Sequence, residues 1–443
     1  MPELQYPSIV SSLDILRRAE LRIPAQTQTL AKGPGQHVRG VAPVYAQRAK
    51  GAHIWDVDGN RYLDYTMAVG PLLLGYGHEV VDKAIEKQLR DGITFSLMHP
   101  LEVEVAELLN TVIPNAEMVR YSKTGCDVTS AAIRLARAYT GKSTVLCCGY
   151  HGWHDWFVGT TDRNMGIPQS TRDLTYTFEY NNIESLHRAI DEDTAAVILE
   201  PMVFEQPEDN YLREVRELCT ARGIVLIFDE MWTGFRLAVG GAQERFGVAA
   251  DLACFSKAIA NGMPLSVLTG RADIMRLCEK DVFFFTTFGG EALSLAAAKA
   301  TVTFLREHDV PLRVEEAGNL LRSGIEEIIA HEAADYISVR GLGARTMLKF
   351  DERAVDPLMA KSLVQQEFLR FGILWGGFQT LSYAHTVEDL ALTLDAFREV
   401  IPMLHQGVVH RTVADMLRGA PMEPVFRKTG NFNTKPRLST ELR

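Results

Sequence analysis

Two short apolar stretches each deliver a reactive side chain to the end of a strand. The stretch that ends at Phe228 is followed at once by Asp229, and the stretch Leu252–Phe255 is followed by Ser256 and Lys257. Such apolar runs are typical of strands buried inside a parallel sheet. Because ligands of open α/β sheets bind at the carboxyl ends of the strands, we expect this acid and this amine to lie at one ligand-binding edge.

An acid and an amine at such an edge suit a site for pyridoxal phosphate. Lys257 would hold the aldehyde of this cofactor as a Schiff base, and Asp229 would keep the pyridine nitrogen protonated. This stretch alone leaves two other interpretations open. A strand ending in Asp229-Glu230 could supply metal ligands, as in a Walker-B strand, and a lysine after a serine could simply begin a solvated helix.

A glycine-containing turn near residue 125 is a candidate phosphate site. It lies between a strand ending near Tyr121 and a helix predicted from Val128. The start of a helix offers free backbone N–H groups and the positive end of the helix dipole. The hydroxyl of Thr124 and the N–H groups of Gly125 and Cys126 are therefore predicted to bind phosphate, unless the turn is only a helix cap.

The segment after the next strand contains an aromatic residue and two histidines. Tyr150 follows that strand at the same edge, where its ring could stack on a flat cofactor. His151, His154 and Asp155 suggest a metal site, but no further ligand stands at a recognised spacing, so we predict no metal.

Nucleotide-binding motifs are not supported. Gly141-Lys142-Ser143 resembles the end of a P-loop, but Ala136 stands where the first glycine is required and the run follows a helix. The sequence also contains no G-x-G-x-x-G motif, so a nicotinamide cofactor has no motif support.

The composition indicates a folded cytoplasmic protein. Of 443 residues, 47% are hydrophobic and 23% charged, and the net charge of −10 argues against a nucleic-acid partner. Six cysteines form no C-x-x-C pair, which favours reduced thiols. We expect no signal peptide and no membrane span, since no apolar run has the required length.

Strands and helices alternate from about residue 118 to residue 270, which predicts an α/β fold with a mostly parallel sheet flanked by helices. The following third of the chain suggests a smaller α+β domain. We predict an N-terminal segment at 1–80 that packs with the small domain, a large cofactor-binding domain at 81–308, the small domain at 309–410, and a polar surface tail at 411–443.

Several segments in their order along the chain resemble the class III aminotransferases, which are fold-type-I pyridoxal phosphate enzymes, and most of all the glutamate-1-semialdehyde aminomutases. The resemblance covers about residues 11 to 405. It is carried by Trp55–Asp64, Gly70–Gly75, Arg134–Gly141, Tyr150–Gly152, Leu226–Glu230, Thr233–Arg236, Lys257, Thr287-Phe288 and Ala384–Thr386.

The resemblance implies further roles for single residues. Lys257 and Asp229 would be the catalytic lysine and the partner of the ring nitrogen, Tyr150 would stack on one face of the ring, and Met231 would pack on the other. Thr287 would reach the phosphate of a neighbouring subunit, which implies a homodimer. We interpret Glu230 and Arg236 as structural or as part of the pocket edge.

Departures from the aminomutase pattern bear on the substrate. The lid segment is short at Thr160–Gly166, and the aminomutase's glutamate-bearing loop is reduced to Trp375–Gly377. A wider mouth argues against retention of the mutase intermediate and favours transamination between an amine donor and an aldehyde or ketone. The pattern of Ser256–Gly262 with Phe288–Ala296 resembles a subgroup associated with carbohydrate pathways, which implies a polar acceptor such as a sugar derivative. The alternatives are the glutamate-1-semialdehyde 2,1-aminomutase reaction, racemisation, and binding of pyridoxal phosphate without turnover.

Overall fold

The computed structural model describes residues 5–208, 210–424 and 435–437. By the contacts within the chain it divides into two units. The first contains the described residues up to His78 and those from Leu312 to residue 424. The second contains Glu79–Pro311 together with residues 435–437.

The N-terminal part of the first unit forms one helix and three antiparallel strands. They are α1 (Val10–Glu20), β1 (Ala46–Lys50), β2 (His53–Asp56) and β3 (Arg61–Asp64). The turn between β2 and β3 contains Asp58-Gly59, the signal that predicted a hairpin here. The predicted strand Pro43–Gln47 begins three residues later. The N–H groups of Val44 and Tyr45 donate to Ser12 Oγ at 2.9 and 3.2 Å instead of to a neighbouring strand.

The second unit alternates strands and helices along most of its length. Its elements are α2 (Glu79–Asp91), α3 (Pro100–Val112), β4 (Met118–Ser122), α4 (Gly125–Thr140), β5 (Thr144–Cys148), α5 (Asp155–Val158), α6 (Gln169–Arg172), β6 (Thr175–Thr177), α7 (Ile183–Ala189), β7 (Thr194–Leu199), α8 (Tyr211–Arg222), β8 (Val225–Asp229), α9 (Gly241–Phe246), β9 (Leu252–Phe255), β10 (Ser266–Gly270), α10 (Ala272–Met275) and α11 (Ala292–Glu307).

The strands of this unit form one seven-stranded sheet in the order β4-β10-β9-β8-β7-β5-β6. Only β10 runs antiparallel to its neighbours, and the other pairs are parallel, as predicted. All residues of β5, β7, β8 and β9 are buried. Strands covered on both faces need no polar alternation, which explains why they read as continuous apolar runs.

The C-terminal elements are α12 (Val310–His331), β11 (Ile337–Leu342), β12 (Arg345–Phe350), α13 (Pro357–Phe368), β13 (Ile373–Leu374), β14 (Phe378–Thr380) and α14 (Val387–His410). Strands β11, β12 and β14 form a three-stranded antiparallel sheet. Strand β13 instead pairs in parallel with β3, so both ends of the chain contribute to one sheet. This unit therefore has the α+β character that the sequence predicted.

The segment predicted to be a surface tail is anchored in the first unit. Val413 and Met422 are buried, and the Met422 N–H donates to Ser362 Oγ at 2.9 Å. The remaining tail residues 425–434 and 438–443 lie outside the described residues. In the part of the chain that the structure describes, no helix is both long and apolar enough to cross a bilayer.

Candidate active site

The candidate site lies at the carboxyl edge of the seven-stranded sheet. Strands β5, β7, β8 and β9 run in parallel, so the residues that follow them meet at one edge. Tyr150 and His151 follow β5, Glu200 follows β7, Asp229 ends β8, and Lys257 comes two residues after β9. The predicted acid and amine are thus brought to the same edge.

Asp229 is buried and is held from two sides. Its Oδ2 lies 2.7 Å from Nδ1 of His151, and its Oδ1 accepts the N–H of Met231 at 3.1 Å. The other ring nitrogen of His151, Nε2, lies 3.1 Å from the carbonyl oxygen of Cys148. His151 thus links the carboxylate of Asp229 to the backbone at the end of β5.

Lys257 has an unusual backbone conformation. Its φ is +50°, and it is the first residue of a short 3₁₀ turn, Lys257–Ala260. The preceding Ser256 is fixed by a hydrogen bond from its Oγ to the carbonyl of Leu265 at 2.7 Å. The Nζ of Lys257 lies 4.1 Å from the centre of the Trp232 ring. A lysine with positive φ is strained, and such strain is concentrated at functional sites.

The turn predicted to bind phosphate is the start of α4. Gly125 is the first residue of this helix, and the exposed Thr124 precedes it. The carboxylate of Asp127 accepts the Thr124 N–H at 2.9 Å and the Ser122 hydroxyl at 2.6 Å, which fixes the turn. The first N–H groups of a helix have no partner within it, so this end can bind an anion.

Two glycines allow the loops of the site to approach closely. A Cβ placed on Gly125 would lie 2.9 Å from Sδ of Met231, and one placed on Gly152 would lie 2.5 Å from Sγ of Cys126. Gly152 also has φ +106°. The structure therefore brings the predicted residues Gly125, Cys126 and Met231 together around one space.

Tyr150 presents its ring at the edge of this space. The side chain is about half exposed, and its ring meets Phe157 edge-on at 5.6 Å between centroids. The Tyr150 N–H donates to Oε1 of Glu200 at 2.8 Å. Burial is the main cause that raises the pKa of the Tyr150 hydroxyl.

Sequence reasoning missed two residues of this site. His151 was considered only as a metal ligand, although it is the partner of Asp229. Glu200 was not considered, yet it is buried, and both burial and the nearby Asp229 raise its pKa, whereas His151 and Lys257 oppose this shift. Its place in the sequence could have indicated this role, because Glu200 directly follows β7 and so lies at the same edge.

Thr287 lies in a different loop from the residues at the carboxyl edge of the sheet. It lies exposed in the turn before α11, and among the described residues it has no hydrogen bond to Asp229 or Lys257. The end of its loop is fixed by an ion pair of 2.8 Å between Glu291 and Lys123.

Glu230 contacts the protein framework. It is fully buried and accepts hydrogen bonds from the Thr233 hydroxyl and from the N–H groups of Ala242 at 2.9 Å and Gln243 at 3.1 Å. Burial raises the pKa of Glu230 to about 7 and lowers the pKa of Arg236 to about 10. Among the described residues, no three or more His, Cys, Asp or Glu side chains are grouped so that they could hold a metal ion.

The residues of this edge fit pyridoxal phosphate. The start of α4 offers an anion site, Gly125 and Gly152 let Met231 and Cys126 approach closely, and Asp229 supplies a fixed carboxylate. Together with the seven-stranded sheet, they define a fold-type-I pyridoxal phosphate enzyme.

Comparison with known proteins gives the family. The model of the family "Aminotransferase class-III" matches residues 36–408, and the chain belongs to this family. Its cofactor is therefore pyridoxal phosphate, and the protein is an aminotransferase-family enzyme.

Individual relatives cover nearly the whole chain. It is 33% identical to the 3-aminobutyryl-CoA aminotransferase of Cloacimonas acidaminovorans, with 88% of this chain and 96% of the relative covered. It is 36% identical to a glutamate-1-semialdehyde 2,1-aminomutase of Archaeoglobus fulgidus, with 81% and 92% covered. The solved structure of the FumI protein of Sphingopyxis sp. MTA144 matches with a TM-score of 0.83 and 30% identity, over 90% of this chain and 97% of that one.

Proposed function

We propose that this enzyme transfers an amino group between an amine donor and a polar aldehyde or ketone, with Lys257 and Asp229 as its catalytic residues. The observation that supports the proposal is that Lys257 and the buried pair of Asp229 and His151 all follow parallel strands at the same carboxyl edge of the sheet. A sugar-derived carbonyl compound is our candidate acceptor.

The proposed chemistry assigns one task to each of these residues. Pyridoxal phosphate, when bound, supplies a ring that withdraws electrons from the substrate carbon. Asp229 holds a proton on the ring nitrogen, and His151 keeps the carboxylate in position. Lys257 Nζ would accept the proton from the substrate carbon and later donate it, and it would thus act as both general base and general acid.

The remaining residues bind and orient the cofactor in this proposal. Thr124 and the N–H groups of Gly125 and Cys126 hold the phosphate at the start of α4. Tyr150 covers one face of the ring and Met231 the other. The turn before α4 and the loop after β5 are both positioned by contacts within the second unit, which supports a preformed pocket.

A second candidate is the 2,1-aminomutase reaction. It is favoured by the 36% identity to a protein with this name. In a mutase the amino group returns to the same carbon skeleton, and no free keto product leaves.

We further propose a cytoplasmic homodimer in which Thr287 reaches the neighbouring subunit's cofactor. Its exposed position in the turn before α11 supports a role outside its own chain's site. None of the six cysteines, all of which lie among the described residues, forms a disulfide, which supports a reducing compartment.

The proposal is tested by adding single amine donors to the holoenzyme and recording its absorbance. Transamination predicts loss of the aldehyde form of the cofactor and one equivalent of free keto product for each site. Release of an isomerised amine without keto product identifies a mutase. An unchanged spectrum with every donor would contradict both reactions.

Lys257→Ala should abolish this half-reaction while the protein stays folded. The loss of the general base alone costs about 10²–10⁴-fold in rate. Lys299→Ala, which changes an exposed lysine of the same unit, is the control. A Lys257→Ala protein that reacts at the wild-type rate rules out the assignment.

A further inference from the structure

The loop after β13 makes room for a lysine of the first unit. Gly377 has φ +96°, and a Cβ built there would overlap Cε of Lys361 and lie 2.5 Å from its Nζ. The backbone at this position thus requires glycine both for its conformation and for the place of the lysine. Lys361 therefore reaches the loop with its charged end.

The position of Lys361 on α13 brings it to a face that holds two segments. One helical turn later on the same face, Gln365 accepts the Val38 N–H at 2.8 Å through Oε1 and donates to the Trp375 carbonyl at 2.8 Å through Nε2. Gln365 thus ties segments 36–38 and 375–377 to this face. The Lys361 side chain reaches the glycine loop, and its charge acts on the ring of His37.

Neither basic group has a partner for its charge or its proton. Among the described residues, Lys361 forms no hydrogen bond or ion pair, and Nδ1 of His37 is buried without a partner. Burial lowers the pKa of Lys361 to about 8, and burial together with the Lys361 charge lowers the pKa of His37 to about 4. An enclosed ammonium group without an acid costs free energy that a bound anion would recover.

Backbone strain lies beside this group. Strands β3 and β13 are parallel, so their carboxyl ends share an edge, and a Cβ on Gly376 would lie 3.7 Å from Oγ1 of Thr66. After Thr66 come Met67, Ala68 and Val69, with φ values of +46°, +55° and +69°. Positive φ is a true outlier for the β-branched Val69, and consecutive strained residues mark ligand sites.

We propose that Lys361, His37 and the loop Trp375–Gly377 form a binding site for a small anion with a phosphoryl or carboxylate group. The Lys361 ammonium supplies the charge, and the imidazole of His37 supplies one N–H donor. The site lies in the first unit and is independent of the roles of Lys257 and Asp229.

Calorimetric titration of the holoenzyme with inorganic phosphate, and separately with acetate, tests the site. In the holoenzyme the cofactor already fills its own phosphate site, so that site cannot take up the probe. At least one of the two probes should therefore bind saturably at the proposed site. Lys361→Met, which keeps the length of the side chain, should weaken this binding about tenfold or more. Lys349→Met changes an exposed lysine on β12 of the same unit and should leave it unchanged. Equal affinity in the Lys361→Met protein, or no saturable binding in wild type, overturns the proposal.

Thermal unfolding separates a binding role from a structural one. In buffer without phosphate or carboxylate, Lys361→Met should melt at the same temperature as wild type or higher, since an unpartnered charge is removed. Phosphate should raise the melting temperature of wild type and not of the variant. A variant that melts lower than wild type and responds to phosphate equally would show a structural lysine.

Kinetics then distinguish the two sources of the anion. If a reactant carries it, Lys361→Met raises KM for an anionic acceptor and leaves KM for a neutral acceptor unchanged. If a separate ligand carries it, both KM values stay unchanged while phosphate binding is lost. The kinetic experiment rests on the proposed transamination, but the calorimetric titration does not. The anion site and the transamination can therefore fail separately.

Discussion

At the residue scale, two neighbouring acids have different surroundings because of strand geometry. Side chains of successive residues in a strand point to opposite sides. Asp229 meets His151 at the candidate site, whereas Glu230 turns to the N–H groups of Ala242 and Gln243 at the start of α9. Of these two adjacent acids, Asp229 is therefore available for the proposed chemistry, whereas Glu230 binds the protein framework.

Asp229→Asn should reduce turnover far more than cofactor occupancy. The amide keeps the shape of the carboxylate but cannot hold a proton on the ring nitrogen, so we expect a loss of about 10²-fold or more. The rate of the donor half-reaction and the ratio of bound cofactor to protein give the two readouts. Near-normal turnover would remove the role assigned to this carboxylate.

Glu230 should make stability depend on pH. Its pKa in the folded protein is about 7 against an ordinary value of 4.5, mainly through burial, so the folded state holds the proton more tightly. Stability therefore falls as pH rises from about 4.5 to about 7, by on the order of 3 kcal/mol.

The measurement compares wild type with Glu230→Gln, which stays neutral at every pH. Unfolding midpoints in denaturant between pH 4 and pH 8 should show wild type losing stability relative to the variant as pH rises. A difference that stays constant across this range would contradict the shifted pKa of Glu230.

At the element scale, the site depends on short connections at the carboxyl ends of parallel strands. The turn from β4 to α4 provides the predicted phosphate site, and the loop after β5 provides Tyr150 and His151. These connections are held close by glycines, since any side chain at Gly152 would meet Cys126.

Gly152→Ala should weaken cofactor binding about tenfold or more. The new methyl group would displace Cys126, the second residue of α4, and with it the N–H groups proposed to hold the phosphate. Loss of well-placed charge-assisted hydrogen bonds costs this much. Gly141→Ala is a matched control, because Gly141 also has positive φ but open space around it. Titration of both apoproteins with pyridoxal phosphate measures the effect, and equal affinities would show that the close approach is unimportant.

At the scale of the whole molecule, the first unit has two small sheets, the second unit has the seven-stranded sheet, and each unit has its own candidate site. The residues proposed to bind pyridoxal phosphate all belong to the second unit, and the proposed anion site belongs to the first. Thr287 is the residue whose proposed role requires a second chain.

Mixed dimers test this role of Thr287. We expect a dimer of twice the 49.4 kDa chain mass, and low activity for Lys257→Ala and Thr287→Ala separately. In a mixed dimer, one site receives both Lys257 and Thr287. Random reassociation of equal amounts makes half of the dimers mixed, so about a quarter of wild-type activity should return. Activity equal to the mean of the two variants would place Thr287 outside the neighbouring site.

Much of the second unit could be predicted from local sequence patterns. Strand Leu252–Phe255 has the predicted bounds. The strands predicted to end at Phe228 and near Tyr121 each extend one residue further, to Asp229 and Ser122. Strand β6 was missed because its three residues give too short a pattern. The pairing of β3 with β13 was also missed, since no local signal links segments about 310 residues apart.

The sequence by itself determined the buried parallel strands, and with them the arrival of Asp229 and Lys257 at one edge. Periodicity and apolar runs specify these features, because burial on both faces demands them. Only the tertiary structure decided that His151 holds Asp229, that Glu230 faces away, and that Lys361 lies without a partner beside Gly377. Such contacts join residues that are far apart in the chain. Whether a charged side chain has a partner is therefore settled only when the protein packs around it.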